Sequence, residues 1–190
     1  MRINLKRMKI LKTDIEGLFI LEPKVFGDSR GYFMEVFSER DFRAATGLDV
    51  HFVQDNESMS SKGVLRGMHF QKAPHAQSKL VRVVRGAVQD VALDLRAGSP
   101  TFGKYFSVVL SGENKRMFYL SEGFAHGFLT LENDTVFQYK CGEFYEPSSE
   151  GSVRWDDPAV GVEWMNPGCP LILSDKDRKA PLLSEQPYRF

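Results

Sequence analysis

The sequence predicts an all-β fold, a sandwich or a barrel. Short runs rich in Val, Phe, Leu and Tyr recur along it, turn residues separate them at strand-like spacing, and helical periodicity is almost absent. At 190 residues the chain can bury one substantial core, so one domain over 1–190 is expected, with 1–7 a loosely held extension before Met8.

Taken in order, "GLFILEP" (17–23) is an apolar run closed by Gly and Pro, and "GYFMEVF" (31–37) alternates after a glycine. "SERDFRAATG" (38–47) is the best helix candidate, because Ser38 can cap its start and Gly47 can end it. The stretch "GVLRGMHFQKAPHAQSKLVRVVRG" (63–86) alternates like a strand yet carries Arg66, His69 and Lys79. Strand patterns continue through "AVQDVALDLR" (87–96), "YFSVVLSG" (105–112), "KRMFYLSEG" (115–123), "HGFLTLEN" (126–133) and "TVFQYKC" (135–141). The closing segment from "RWDDPAVGVEW" to "SEQPYRF" is Pro-rich and reads as loops and short turns wrapped around the barrel.

Bulk properties exclude several functions. Twenty-five basic residues balance 25 acidic ones, which argues against a partner read through the whole surface, such as nucleic acid or an anionic membrane. A local cationic pocket for a small anion remains compatible with that balance. The longest apolar run near the start, "GLFIL", is too short for a signal-peptide core, and no run approaches a membrane span, so a cytoplasmic protein is expected. Cys141 and Cys169 form no CxxC and no framework, and both are expected to be buried free thiols.

Three chemistries compete for His69. A metal site of the barrel type wants two histidines two residues apart plus a carboxylate, but His51, His69, His75 and His126 offer neither that spacing nor a Cys/His cluster. Nucleophilic catalysis lacks a GxSxG or GKS/T loop, and neither cysteine has an adjacent base. Proton transfer fits best, because a lone imidazole titrates near neutral pH. It needs a carboxylate to fix its tautomer (Asp90, Asp94, Asp175 or Asp177), a cation to hold an enolate (Lys79 or Arg66) and an acid on the other face (Tyr139 or Tyr145). The plainer reading makes His69 a hydrogen-bonded structural residue, Tyr139 a core aromatic and the arginines solvated. On a regular strand Arg66 and His69 face opposite sides, unless Gly67 permits a bulge. Lys79 shares a face with Val81 and Val83, and a lysine pointing into a barrel seldom lacks a function.

The segments "FGDSRGYFMEVF", "FVQDNESMSSKGVLRGMHFQ", "QSKLVRVVRGAVQDVALDLRAGSPTFGKY", "SGENKRMFYLSEGFAHGFLTL", "YKCGEFYEPSSEGSVRWDDPAVGVEW" and "ILSDKD" together resemble the dTDP-4-dehydrorhamnose 3,5-epimerase family, in order and over about residues 8 to 178. The resemblance implies a cupin-type jelly-roll barrel with short peripheral helices, no metal and no cofactor. It also implies a homodimer with an exchanged N-terminal strand, acting on dTDP-4-keto-6-deoxy-D-glucose to give dTDP-4-keto-L-rhamnose. By resemblance His69 is the base, Asp177 orients it, Tyr139 is the acid, and Lys79 and Arg66 sit against the ketone or its neighbouring phosphate. Arg30, Glu35, Gln54 and Asn56 match thymidine-diphosphate contact positions, with Phe26 nearby as a base-stacking partner, and Asp55, His126, Tyr145, Glu150 and Lys176 fall at further substrate-binding positions. Two positions depart from the pattern: "GEFY" stands where the family commonly has "TDYY", so Phe144 lacks a hydroxyl that Tyr145 keeps, and "AQSK" replaces "AQGK". Relatives on this barrel epimerise a single carbon or move the ketone, which keeps those activities as alternatives. A catalytically silent sugar-nucleotide-binding barrel is the contrasting class.

Overall fold

The computed structural model describes residues 8–188 and 190; the expected loose extension at 1–7 lies outside the described residues. Thirteen strands run β1 (Met8–Lys12), β2 (Leu18–Pro23), β3 (Val25–Asp28), β4 (Gly31–Met34), β5 (Gln54–Ser60), β6 (Leu65–Gln71), β7 (Lys79–Arg85), β8 (Ala87–Asp94), β9 (Tyr105–Ser111), β10 (Met117–Leu120), β11 (Phe124–Thr130), β12 (Thr135–Cys141) and β13 (Glu150–Ser152). Among the described residues two α-helices, α1 (Glu39–Thr46) and α2 (Asp175–Arg178), and a 3-10 turn at Pro147–Ser149 lie outside them.

A six-stranded sheet, ordered β1-β2-β10-β7-β12-β5, faces a five-stranded one, ordered β13-β6-β11-β8-β9, and every strand pairing in both is antiparallel. This is the expected jelly-roll barrel. Strands β3 and β4 form a separate hairpin joined to neither sheet.

Three apolar layers follow from the strand periodicity. Between the sheets, Val81, Val83, Phe118 and Phe137 from one side meet Val88, Ala92, Leu110 and Phe128 from the other. The back of the five-stranded sheet is sealed by the C-terminal wrap, where Val160, Val162, Trp164 and Phe190 cover Met68, Val91 and Leu93. On the back of the six-stranded sheet, Phe42 of α1 packs on Leu21, Leu80 and Tyr119. Covered on both faces, β8 is buried along its whole length, which explains why its sequence does not alternate.

Helix α1 forms where expected. The Ser38 side chain accepts from the Asp41 N–H, and Gly47 closes the helix in the left-handed region at φ 75°. The closing segment is indeed loops and turns with α2 as one short helix. The cysteine expectation needs correction: both are free, but only Cys141 is buried, and Cys169 lies in an exposed loop between Gly168 and Pro170. A Pro-flanked loop segment outside both sheets has no layer to cover it. Among the described residues no helix is long and apolar enough to cross a membrane.

Candidate active site

The strand that carries His69 is bulged. Opposite it, β11 sets His126 against His69 and Phe128 against Arg66, so two steps on β11 span three on β6. Gly67 supplies the turn at φ 126°, where a Cβ would lie 2.5 Å from the Gly127 Cα. The extra residue restores a common face, and Arg66 and His69 both line one cavity of about 530 Å³ between the sheets.

Helix α2 brings the carboxylate. Ser174 caps it by accepting from the Asp177 N–H at 3.1 Å, and the same hydroxyl donates to Asp177 Oδ2 at 2.7 Å. The other oxygen, Oδ1, lies 2.6 Å from His69 Nε2. The Asp177 side chain is 4% exposed and that of His69 is 30% exposed, so the buried partner holds the accessible one. Burial pushes the Asp177 carboxyl up. Hydrogen bonds from His69, Ser174 and the Gly67 backbone, together with the imidazole's charge, outweigh burial and hold it below its ordinary value. An ionised Asp177 accepts from Nε2–H and so leaves Nδ1 as the basic nitrogen.

The opposite sheet supplies Lys79 on β7 and Tyr139 on β12, both lining the same cavity. Lys79 Nζ lies 5.9 Å from the centre of the Tyr139 ring. Burial lowers the Lys79 ammonium, against the opposing fields of Cys141, Asp90 and Glu150, and burial raises the Tyr139 phenol. Deeper in the barrel His126 Nε2 meets both oxygens of Asp90, at 2.9 and 3.0 Å, and the carboxyl is fully buried and pushed up by that burial. Of the four aspartates considered for His69, Asp177 takes the role; Asp90 serves His126, and Asp94 is held by Arg96, Ser99 and Thr101.

A second lobe of about 330 Å³ shares His69, Lys79 and Tyr139 with the first. Gln54, Asn56, Tyr145 and Glu150 line it, and strand alternation explains the grouping of Gln54 with Asn56. Asp55, between them, points to the other side, pairs with Lys140 at 2.9 Å and lines neither lobe. Glu150 and Lys176 form an ion pair with each other, linking β13 to α2. Arg66 reaches Ser60 Oγ at 3.2 Å. Phe26 and Arg30 stand apart on the hairpin, where Arg30 pairs with its own Asp28, and Glu35 follows that hairpin; none of the three lines either lobe of this chain. Phe144 is 61% exposed and lines neither lobe, so the hydroxyl it lacks is not missing from the cavity wall. Among the described residues no group of three or more His, Cys, Asp or Glu side chains is placed to hold a metal ion.

The residues that sequence reading passed over are the ones that hold others: Ser174, Ser60, Gln71 and Gln77. Only Ser174 had a signal, as an N-cap residue three positions before Asp177.

A jelly-roll barrel with a histidine on one sheet held by a helix carboxylate, and a lysine and a tyrosine on the other sheet, has the equipment of an enzyme that moves protons on a small molecule. The chain belongs to the dTDP-4-dehydrorhamnose 3,5-epimerase family, whose sequence model matches residues 12–185. It is 53% identical over 178 residues to the dTDP-4-dehydrorhamnose 3,5-epimerase of Salmonella typhimurium (strain LT2), covering 94% of this chain and 97% of that protein. The structure of dTDP-6-deoxy-D-glucose-3,5-epimerase from Legionella pneumophila Philadelphia 1 in complex with dTDP-4-keto-L-rhamnose superposes with a TM-score of 0.90 at 48% identity, covering 94% of each chain. ChmJ, a 3'-monoepimerase from Streptomyces bikiniensis in complex with dTDP-quinovose, superposes with a TM-score of 0.86 at 39% identity, covering 90% of this chain and 86% of that one.

Proposed function

We propose that this chain inverts C3 and C5 of dTDP-4-keto-6-deoxy-D-glucose to give dTDP-4-keto-L-rhamnose, as a step toward dTDP-L-rhamnose. The observation that carries the reading is the placement of His69 and Tyr139 on facing sheets of one cavity, with Lys79 beside the tyrosine. A ketone at C4 acidifies the C–H bonds at C3 and C5. His69 Nδ1 takes the proton, the C–H electron pair becomes a double bond to C4 as the carbonyl π pair moves onto the C4 oxygen, and Lys79 holds the enolate that results. Tyr139, kept protonated by burial, returns a proton to the other face of the carbon. Asp177 keeps His69 in the correct tautomer and balances its charge while it holds the proton. Arg66 supplies a cation for the adjoining phosphate, and Gln54, Asn56 and Tyr145 form the wall for the nucleotide side.

We also infer that the whole chain acts as one domain and works as a homodimer. Strand β1 lies at an edge of the six-stranded sheet, where exchange with a second copy needs no rupture of the interior. The free β3–β4 hairpin presents Phe26, Tyr32 and Phe33, at 41, 56 and 68% exposure. In a dimer that hairpin, with Phe26, Arg30 and Glu35, serves the site of the other copy. Two unpaired thiols favour a cytoplasmic setting.

The test is nuclear magnetic resonance of dTDP-4-keto-6-deoxyglucose incubated with the protein in deuterium oxide. Label at C3 and C5 supports the double epimerase; label at one carbon makes it a single-centre epimerase or ketoisomerase. Absence of label with retained dTDP binding reduces the protein to a binding module. In the same assay Tyr139→Phe is expected to keep exchange into the starting ketone while inversion slows about 100-fold. Unchanged inversion would transfer the acid role to water or Tyr145.

A further inference from the structure

The loop 142–146, which follows Tyr139 and carries Tyr145 to the second lobe, has no regular secondary structure. Its backbone is instead bound by three glutamine side chains from three segments. Gln77, in the connection before Lys79, donates to the Glu143 carbonyl at 2.7 Å. Gln54, on β5, accepts from the Tyr145 N–H at 3.0 Å. Gln71, two residues after His69, donates to the Phe144 carbonyl at 3.1 Å and accepts from the Glu146 N–H at 2.9 Å. Gln71 also donates to the His75 carbonyl at 2.7 Å, in the same connection that leads to Lys79.

Gln71 is only 4% exposed, so both ends of its amide are committed in a site where an unpaired polar group is costly. One side chain thereby ties the end of the His69 strand to the approach to Lys79 and to the loop beyond Tyr139. A loop that only needed to cross the surface would leave these carbonyls and amides to water.

We propose that Gln71 is a positioning residue, the centre of a glutamine bracket that holds loop 142–146 as the binding wall of the site and sets Tyr145 against the ligand. This rests on the reading given under Proposed function and adds a residue to it. The bracket acts on binding rather than on proton transfer. His69 is held by Asp177, and Lys79 and Tyr139 sit on strands β7 and β12, which pair with each other in the sheet, so the proton-moving groups keep their places without it.

Gln71→Leu preserves approximate size and removes all three hydrogen bonds. The expected result is a KM for dTDP-4-keto-6-deoxyglucose raised about 10-fold, with kcat within about 3-fold. Amide hydrogen exchange should rise in 73–78 and 142–146 and remain slow in β8 and β11. Gln77→Ala removes one bond at the half-buried rim without opening the core, and is expected to raise KM about 3-fold in the same pattern. Three results overturn the proposal: an unchanged KM with unchanged loop protection, a loss confined to kcat, or a rise in exchange across β8 and β11, which would make Gln71 a residue of general stability. A wild-type protein that does not turn over this sugar overturns the functional reading instead, and the bracket is then judged from loop exchange alone.

Discussion

His69→Asn is expected to remove deuterium incorporation at both C3 and C5 while leaving dTDP bound. The size of the loss follows from the chemistry. A positioned general base contributes about 100- to 10,000-fold, and with one imidazole serving both carbons the loss is expected near the upper end, about 1,000-fold or more. That factor is about 4 kcal/mol of barrier. Asparagine is close in shape and can still offer an N–H toward Asp177, so the buried carboxylate is not abandoned and the fold is retained. The measurement is the rate of label uptake at each carbon, with dTDP affinity by calorimetry as the control. Loss at one carbon only would give the other carbon a different base, and residual activity above about a tenth would remove His69 from the mechanism.

Lys79→Met is expected to slow both inversions by about 100- to 1,000-fold, the range for removing a donor aimed at a developing oxyanion. Methionine fills the same volume beside Val81, so lost packing contributes little. The pH profile carries the diagnostic. Burial lowers Lys79 below the ordinary lysine value of 10.5, and in the proposed mechanism only the ammonium holds the enolate. Activity should therefore fall as pH rises through the lowered value, earlier than an exposed lysine would allow. Lys79→Arg, charged throughout that range, should keep part of the rate and lose this alkaline limb. If the limb persists in the arginine variant, another group sets it.

The Asp177 carboxyl works in the opposite direction. Because its folded value lies below the ordinary 3.8, the His69–Asp177 pair adds stability that is fully present above that value, and it is lost as pH falls through the lowered one.

How far the sequence reveals this molecule depends on what each strand faces. Strands with an apolar face, such as β2, β7, β10 and β12, are legible because core burial writes a pattern into them. Strand β5, "QDNESMS", is not recognisable: its inner residues Gln54, Asn56 and Ser58 line the wet cavity rather than the core, so hydrophobic alternation never appears. β1, β3 and β13 are three to five residues long, and α2 spans four, too short for any period to register. Asp55 shows the same limit within a site: a motif aligns neighbours in sequence, but a strand sends adjacent side chains to opposite faces.

By itself the sequence determined the class of fold, the helix caps at Ser38 and Gly47, the candidacy of His69 as a base, and, through several motifs in order, the family. These are properties written locally, in periodicity, turn chemistry and short motifs. Only the tertiary structure decided which of four aspartates serves His69, since 108 residues separate it from Asp177. It also decided that the bulge at Gly67 puts Arg66 and His69 on one face, and that three glutamines 66 to 91 residues away in the chain bind one loop. Those choices are made by strand register and by which buried polar groups find partners, and neither is encoded within any one segment of the chain.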